Sequence, residues 1–154
     1  MKIIKEIQWD MGHRIPNHRS KCRNLHGHRY KAEICLEGNI INIKGSEMEG
    51  MVMDFGDIAK LALERIYNVL DHGFIVWEKD KILMKFFEEN PNLKHIIVPF
   101  VPTCENISIW IFNQIDSAIK DKYKTGLKLH SIKLWETPTS YSFCERKDTK
   151  KLKL

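Results

Sequence analysis

With 154 residues, 43% hydrophobic and 29% charged, the chain has the length and composition of one soluble domain with a core of its own, and it contains no apolar run near the roughly 20 residues a membrane helix needs. The net charge of +5 suggests nucleic acid until it is located: Arg146, Lys147, Lys150, Lys151 and Lys153 against Glu145 and Asp148 put +3 of it in residues 145–154, where a short basic stretch reads as a solvated tail. Cys22, Cys35, Cys104 and Cys144 are widely scattered and the charged start Met1-Lys2-Ile3-Ile4-Lys5-Glu6 has no export core, so reduced thiols, a cytoplasmic setting and no nucleic-acid or membrane partner are expected.

The odd positions Ile3, Ile7, Trp9, Met11 and His13 alternate with mostly polar even ones, which predicts a half-buried strand ending on His13. Pro16 to Lys21 is a loop. His26 and His28 then share parity with Tyr30, Ala32, Ile34 and Leu36, so a second strand carries two more histidines on its inward face. A hairpin-like pairing would gather His13, His26 and His28. One histidine alone would be read as a hydrogen-bonded core or surface residue; three at strand spacing point to a metal site, and neutral imidazoles at an open tetrahedral site suit zinc. Cys22 is open at this point between a fourth ligand and a separate thiolate acting as base or nucleophile.

Residues 38–51, with Gly38, Gly45 and Gly50, read as a connection. After Asp54, a suitable N-cap, the spacing of Ile58, Leu61, Ala62, Ile66, Val69 and Leu70 predicts a helix over 55–70 that stops at Asp71-His72-Gly73. Asp71 beside His72 reads equally as a charged helix terminus and as an oriented proton carrier. A short helix over 80–90, a brief strand at His95–Val98 and a second long helix from the N-cap Thr103, with Glu105 in its first turn, follow. Two last strands occupy Leu127 to Glu136 and Thr139 to Glu145. Glu136 shares parity with Ile132 and Leu134, so a carboxylate ends an apolar face, which is costly unless it is paired, protonated or facing a ligand. The simplest assembly is α+β: a four-stranded antiparallel sheet with two main helices on one face, in a single domain over 1–146 followed by a basic tail over 147–154. Its open edges suggest oligomerisation into a barrel.

Six ordered motifs carry a resemblance: His13, Cys22-x-x-x-His26-Gly27-His28, Asp54-Phe55, Leu70-Asp71-His72, Pro102-Thr103-x-Glu105-Asn106 and Glu136-Thr137. From about residue 3 to 146 the chain resembles the 6-pyruvoyltetrahydropterin synthase / 6-carboxytetrahydropterin synthase family, in its bacterial 6-carboxy-5,6,7,8-tetrahydropterin synthase form. The resemblance implies the tunnelling fold and a homo-oligomer, commonly a hexamer built as a dimer of trimers with active sites between subunits. It implies zinc on His13, His26 and His28, Cys22 as general base with Asp71 and His72 as proton partners, Glu136 gripping the pterin ring, and Thr103 and Glu105 in the same pocket. Arg14 or Lys21 would meet a triphosphate. The implied reaction converts 7,8-dihydroneopterin triphosphate to 6-carboxy-5,6,7,8-tetrahydropterin with release of acetaldehyde and triphosphate, toward queuosine and other 7-deazaguanines. The alternatives are the pyruvoyl product on the tetrahydrobiopterin route and a structural zinc domain with Cys22 as a ligand; a folate-precursor branch generally has glutamate in place of the cysteine. Two departures stand out: Trp9-Asp10-Met11-Gly12-His13 where the family has an aromatic residue and alanine before the histidine, and Cys104 where a smaller residue such as serine or alanine is common.

Overall fold

The structure, a computed structural model, describes residues 1–123 and 126–151. Lys153 of the expected basic tail lies outside the described residues. Strand β1 (Lys2–His13) and strand β2 (His26–Glu37) form a long antiparallel hairpin in which His13 faces His26 and Trp9 faces Tyr30. Helix α1 (Phe55–Ala62), a π-helical turn (Leu63–Tyr67) and helix α2 (Asn68–Leu70) make one continuous helical rod over the expected range. Strand β3 (Gly73–Trp77), helix α3 (Lys81–Glu89), strand β4 (His95–Val98) and helix α4 (Cys104–Lys122) follow, and strands β5 (Lys128–Thr137) and β6 (Ser140–Glu145) close the fold.

The sheet has six strands in the order β4-β3-β1-β2-β5-β6, not four. The four expected strands pair antiparallel, while β3 joins β1, and β4 joins β3, in parallel. Strand β3 escapes an alternation test because both of its faces are covered: Ile75 belongs to the main core and Val76 to a second cluster with Leu83 and Phe87 of α3. A strand covered on both sides reads as a continuous apolar run. The main core lies between one face of the sheet (Trp9, Met11, Tyr30, Ile34, Ile132, Leu134) and the apolar stripes of α1 and α4 (Ile58, Leu61, Ile107, Ile111, Ile115). Ile4, Tyr141 and Phe143 are exposed, and β4 and β6 are the strands at the two ends of the sheet.

Two local findings bear on the site. The rod ends with His72, not Gly73, in the left-handed region (φ 54°), and its N–H is held by the Asp10 carbonyl oxygen at 2.8 Å. At Gly12 a Cβ would lie 2.4 Å from Cδ2 of Phe74, so the Phe74 ring occupies the space that a side chain would take. Beyond the last strand the chain stays anchored: Arg146 donates to both carboxylate oxygens of the buried Asp116 on α4, at 2.8 and 2.5 Å.

Candidate metal centre

The register of the β1–β2 hairpin brings His13, His26 and His28 together at its open end, with one nitrogen of each within 4.8 Å of the others. Two of the rings are oriented by backbone. His13 Nδ1–H donates to the Pro102 carbonyl at 2.7 Å and His26 Nδ1–H to the Asn24 carbonyl at 2.9 Å, which leaves the Nε2 lone pair of each ring for a ligand. His13 is buried, and the desolvation of its ring, only partly offset by Pro102 and Glu136, holds it below the ordinary imidazole range; burial lowers His28 likewise. Neutral rings are the form that binds a metal. The donor set therefore fits a divalent ion of the zinc type with three protein ligands and an open position.

Tyr30, two residues beyond His28 on the same face, connects this cluster to Glu136. Its hydroxyl lies 3.3 Å from His13 Nε2 and donates to Glu136 Oε1 at 3.2 Å. Burial, and then the Glu136 charge, push the phenol upward, so it remains a donor. A single hydroxyl proton directed at the carboxylate leaves the His13 lone pair uncommitted. Glu136 sits where the β5–β6 register slips between Trp135 and Thr137, a bulge that frees its carboxylate from strand pairing. It lines a cavity of about 610 Å³ together with Gln8, His28, Arg29, Trp135 and Pro138.

Cys22 lies in a 3₁₀ turn (Lys21–Arg23) folded back on the end of β1, its carbonyl accepting from Ile15 N–H at 2.9 Å. The thiol is half-buried. The metal cluster of the described residues is formed by the three histidines without Cys22.

The remaining expected residues divide. Asp71 and His72 bond to each other (Oδ2 to Nδ1, 2.7 Å) beside Asp10, and His72 and His28 line a common cavity; no described contact joins either residue to Cys22 within one chain. Thr103 caps α4 by accepting from Asn106 N–H. Glu105 is exposed and lines a different cavity, with Ser108, Tyr141 and Phe143, apart from Glu136. Arg14, expected to meet a phosphate, points away: its Nε pairs with the buried Asp80 carboxylate at 2.8 Å, which ties the residue after His13 to the start of α3. A half-buried guanidinium already matched to a buried carboxylate is not a mobile anion receptor. Tyr30 is the residue that motif reading passed over, although a buried tyrosine on the histidine face always raises the question of its hydroxyl's partner. The Cys104 thiol lies 3.3 Å from both the Leu134 carbonyl and Ser142 Oγ, with one proton for either, and Ser142 Oγ–H donates to the Cys104 carbonyl at 3.1 Å, which pins the start of α4 to β5 and β6.

A curled sheet with its helices on one face and an inward trio of histidines at the end of its first hairpin is the arrangement of the tunnelling fold. The solved structures agree: an uncharacterised protein of Wolinella succinogenes superposes with a TM-score of 0.77 at 26% identity, covering 95% of this chain and 98% of that one. The 6-pyruvoyl tetrahydropterin synthase of Plasmodium vivax superposes with a TM-score of 0.70 at 21% identity over 95% and 97%. The chain belongs to the 6-pyruvoyl tetrahydropterin synthase family, whose model matches residues 2–147. Among curated relatives, the 6-carboxy-5,6,7,8-tetrahydropterin synthase of Haemophilus influenzae is 37% identical over 147 residues, covering 94% of this chain and 96% of its own length. That of Rickettsia bellii is 35% identical over 92% and 97%. Among the described residues no helix is long and apolar enough to cross a membrane.

Proposed function

We propose that the protein is a zinc-dependent lyase that converts 7,8-dihydroneopterin triphosphate to 6-carboxy-5,6,7,8-tetrahydropterin, releasing acetaldehyde and triphosphate. The observation that carries this reading is the three-imidazole cluster set beside Glu136, a carboxylate that opens on a cavity and accepts from the Tyr30 hydroxyl, itself 3.3 Å from His13 Nε2. The curated names of relatives up to 37% identical over nearly the whole chain support the carboxy product.

In this reading Glu136 accepts together from a ring N–H and the exocyclic amine of the pterin, a bidentate match that its bulge position favours. His13, His26 and His28 hold zinc, which when bound supplies positive charge to stabilise negative charge developing on the substrate's side-chain oxygens. Tyr30 aims Glu136 by donating to Oε1. Cys22, as thiolate, takes a carbon-bound proton of the side chain. Asp71 and His72 return and remove protons. Because no contact among the described residues joins them to Cys22 within one chain, a working site would combine Cys22 of one copy with Asp71 and His72 of another, and the exposed Tyr141 and Phe143 of the edge strand β6 are available for such pairing. Thr103 and Glu105 would complete the pocket from the same neighbouring surface. We place the enzyme in the cytoplasm, as a homo-oligomer on a route to 7-deazaguanines.

The test is to incubate the zinc-loaded protein with 7,8-dihydroneopterin triphosphate and weigh the products. A carboxypterin with acetaldehyde supports the reading. A pyruvoyl product moves the chain to the other branch, and unchanged substrate refutes the enzyme.

A further inference from the structure

Two consecutive residues, Trp135 and Glu136, line the same cavity of about 610 Å³. On a regular strand they would point to opposite faces of the sheet. The slip in the β5–β6 register between Trp135 and Thr137 removes that opposition and lets both side chains border one space.

Trp135 is also fixed more closely than a surface indole needs. Its Nε1–H donates to Glu33 Oε1 at 2.9 Å across the β2–β5 pair. Lys133 and Lys31 reach the same carboxylate at 3.4 and 3.8 Å, and their ammonium groups lie 4.5 and 5.0 Å from the centre of the indole ring. Tyr141, its partner across β5–β6, packs against it with ring centroids 4.5 Å apart. Burial alone would raise the Glu33 carboxyl, but the indole N–H and the two lysines outweigh it and hold Glu33 below the usual carboxylate range, so it stays an acceptor. The indole thus has its polar atom satisfied on the sheet while its half-buried ring borders the cavity beside Glu136.

We propose that Trp135 is a binding residue for the flat face of a bicyclic pterin whose edge Glu136 holds, and that Glu33 is the positioning residue that locks the indole in place. The inference rests on the reading of Glu136 as the pterin grip. A carboxylate fixes such a ring along one edge only and leaves it free to swing about that edge. An offset-stacked indole supplies the second constraint, and it favours a planar heterocycle over a puckered ligand with the same hydrogen-bonding edge.

The experiment follows the emission of neopterin, a fluorescent oxidised pterin without phosphates, on titration with zinc-loaded wild type, Trp135→Phe, Trp135→Leu and Glu33→Leu. Urea unfolding and steady-state turnover of each accompany it. An indole in contact with an excited pterin quenches it by electron transfer. Among the described residues Trp135 is the tryptophan that lines this cavity, and Trp9 is buried in the core. The wild type is expected to bind neopterin with its emission quenched. Trp135→Phe should keep an aromatic face and most of the affinity but lose the quenching, which a merely structural Trp135 would not affect. Trp135→Leu should weaken neopterin binding and raise KM roughly 10–100-fold, the loss typical of one stacked base, with kcat near the wild-type value. Glu33→Leu, with the indole present but released, should give a smaller rise in KM and partial quenching.

Neopterin bound with its emission unchanged, quenching that persists in Trp135→Phe, or a folded Trp135→Leu protein with wild-type KM overturns the proposal. Should Trp135→Leu not fold, the quenching in the wild type and its loss in Trp135→Phe decide. A wild type that leaves neopterin unbound overturns the proposal together with the reading of Glu136. One that binds and quenches neopterin yet leaves the pterin triphosphate unchanged removes the reaction alone and supports the platform.

Discussion

Replacing Tyr30 with phenylalanine should separate the metal centre from the carboxylate that it serves. The ring would stay where it is, since it stacks on Trp9 with centroids 5.8 Å apart and planes 15° from parallel, and it is fully buried. What disappears is one hydroxyl, 3.2 Å from Glu136 Oε1 and 3.3 Å from His13 Nε2. A buried hydrogen bond to a charged group contributes roughly 1.5–3 kcal/mol, and the phenylalanine regains part of that by leaving no unpaired hydroxyl, so a stability loss of about 1–2 kcal/mol is expected. The functional loss should be the larger signal. The hydroxyl's one proton goes to Glu136, so the loss falls on the carboxylate: a charge-assisted hydrogen bond worth roughly 1.5–3 kcal/mol corresponds to about 10–100-fold in kcat/KM, with zinc affinity near the wild-type value. Zinc affinity measured by chelator competition and kcat/KM for the pterin triphosphate separate the two sites. If kcat/KM matches the wild type, the hydroxyl does not aim Glu136 and the reasoning fails.

Gly12→Ala should destabilise the chain by about 1–3 kcal/mol, because its Cβ would sit 2.4 Å from Phe74 Cδ2; Phe74→Leu in the same chain should restore most of this in urea unfolding, and a harmless Gly12→Ala would contradict the crowding. Asp80→Ala strips the partner from the half-buried Arg14 guanidinium and should cost roughly 2–4 kcal/mol, whereas a paired Arg14→Leu/Asp80→Leu replacement should recover much of it; equal losses in both variants would show that the pair's charges do not matter. Burial holds His13 and His28 below the ordinary value of 6.5, so the unfolded chain takes up protons first. The metal-free protein should therefore have this stability in full above pH 6.5 and lose it as pH falls through the folded-state values, with a lower melting temperature at pH 5.5 than at pH 7.5. His13→Gln should flatten that slope, and a slope of the same size in the variant would assign it elsewhere.

The parts of the fold that alternate were readable from the chain. Strands β1 and β2 bury one face and leave the other polar, and the same parity that marks Trp9, Met11 and Tyr30 as core puts all three histidines on one side. Strand β3 was not readable, since Phe74 to Trp77 is apolar on both faces and directly follows a helix. The resemblance brought forward Cys22, Asp71, His72 and Glu136 as one site, with Glu105 in the same pocket, but no motif carries the packing that sets Glu105 in a different cavity from Glu136. Arg14 illustrates the limit most sharply. Its charge beside a candidate metal ligand suggested a phosphate contact, and only the packing of α3 reveals the carboxylate of Asp80 that already occupies it. The carbonyls of Asn24 and Pro102 orient the site through backbone atoms that every sequence contains, so no pattern of residue types announces them.

The central claim is that three histidines hold the metal and Cys22 is free for chemistry beside them. Metal content and turnover of a Cys22→Ala protein test it together. The account predicts zinc retained at the wild-type level with conversion of the pterin triphosphate abolished; zinc lost along with the cysteine would make Cys22 a ligand and contradict it.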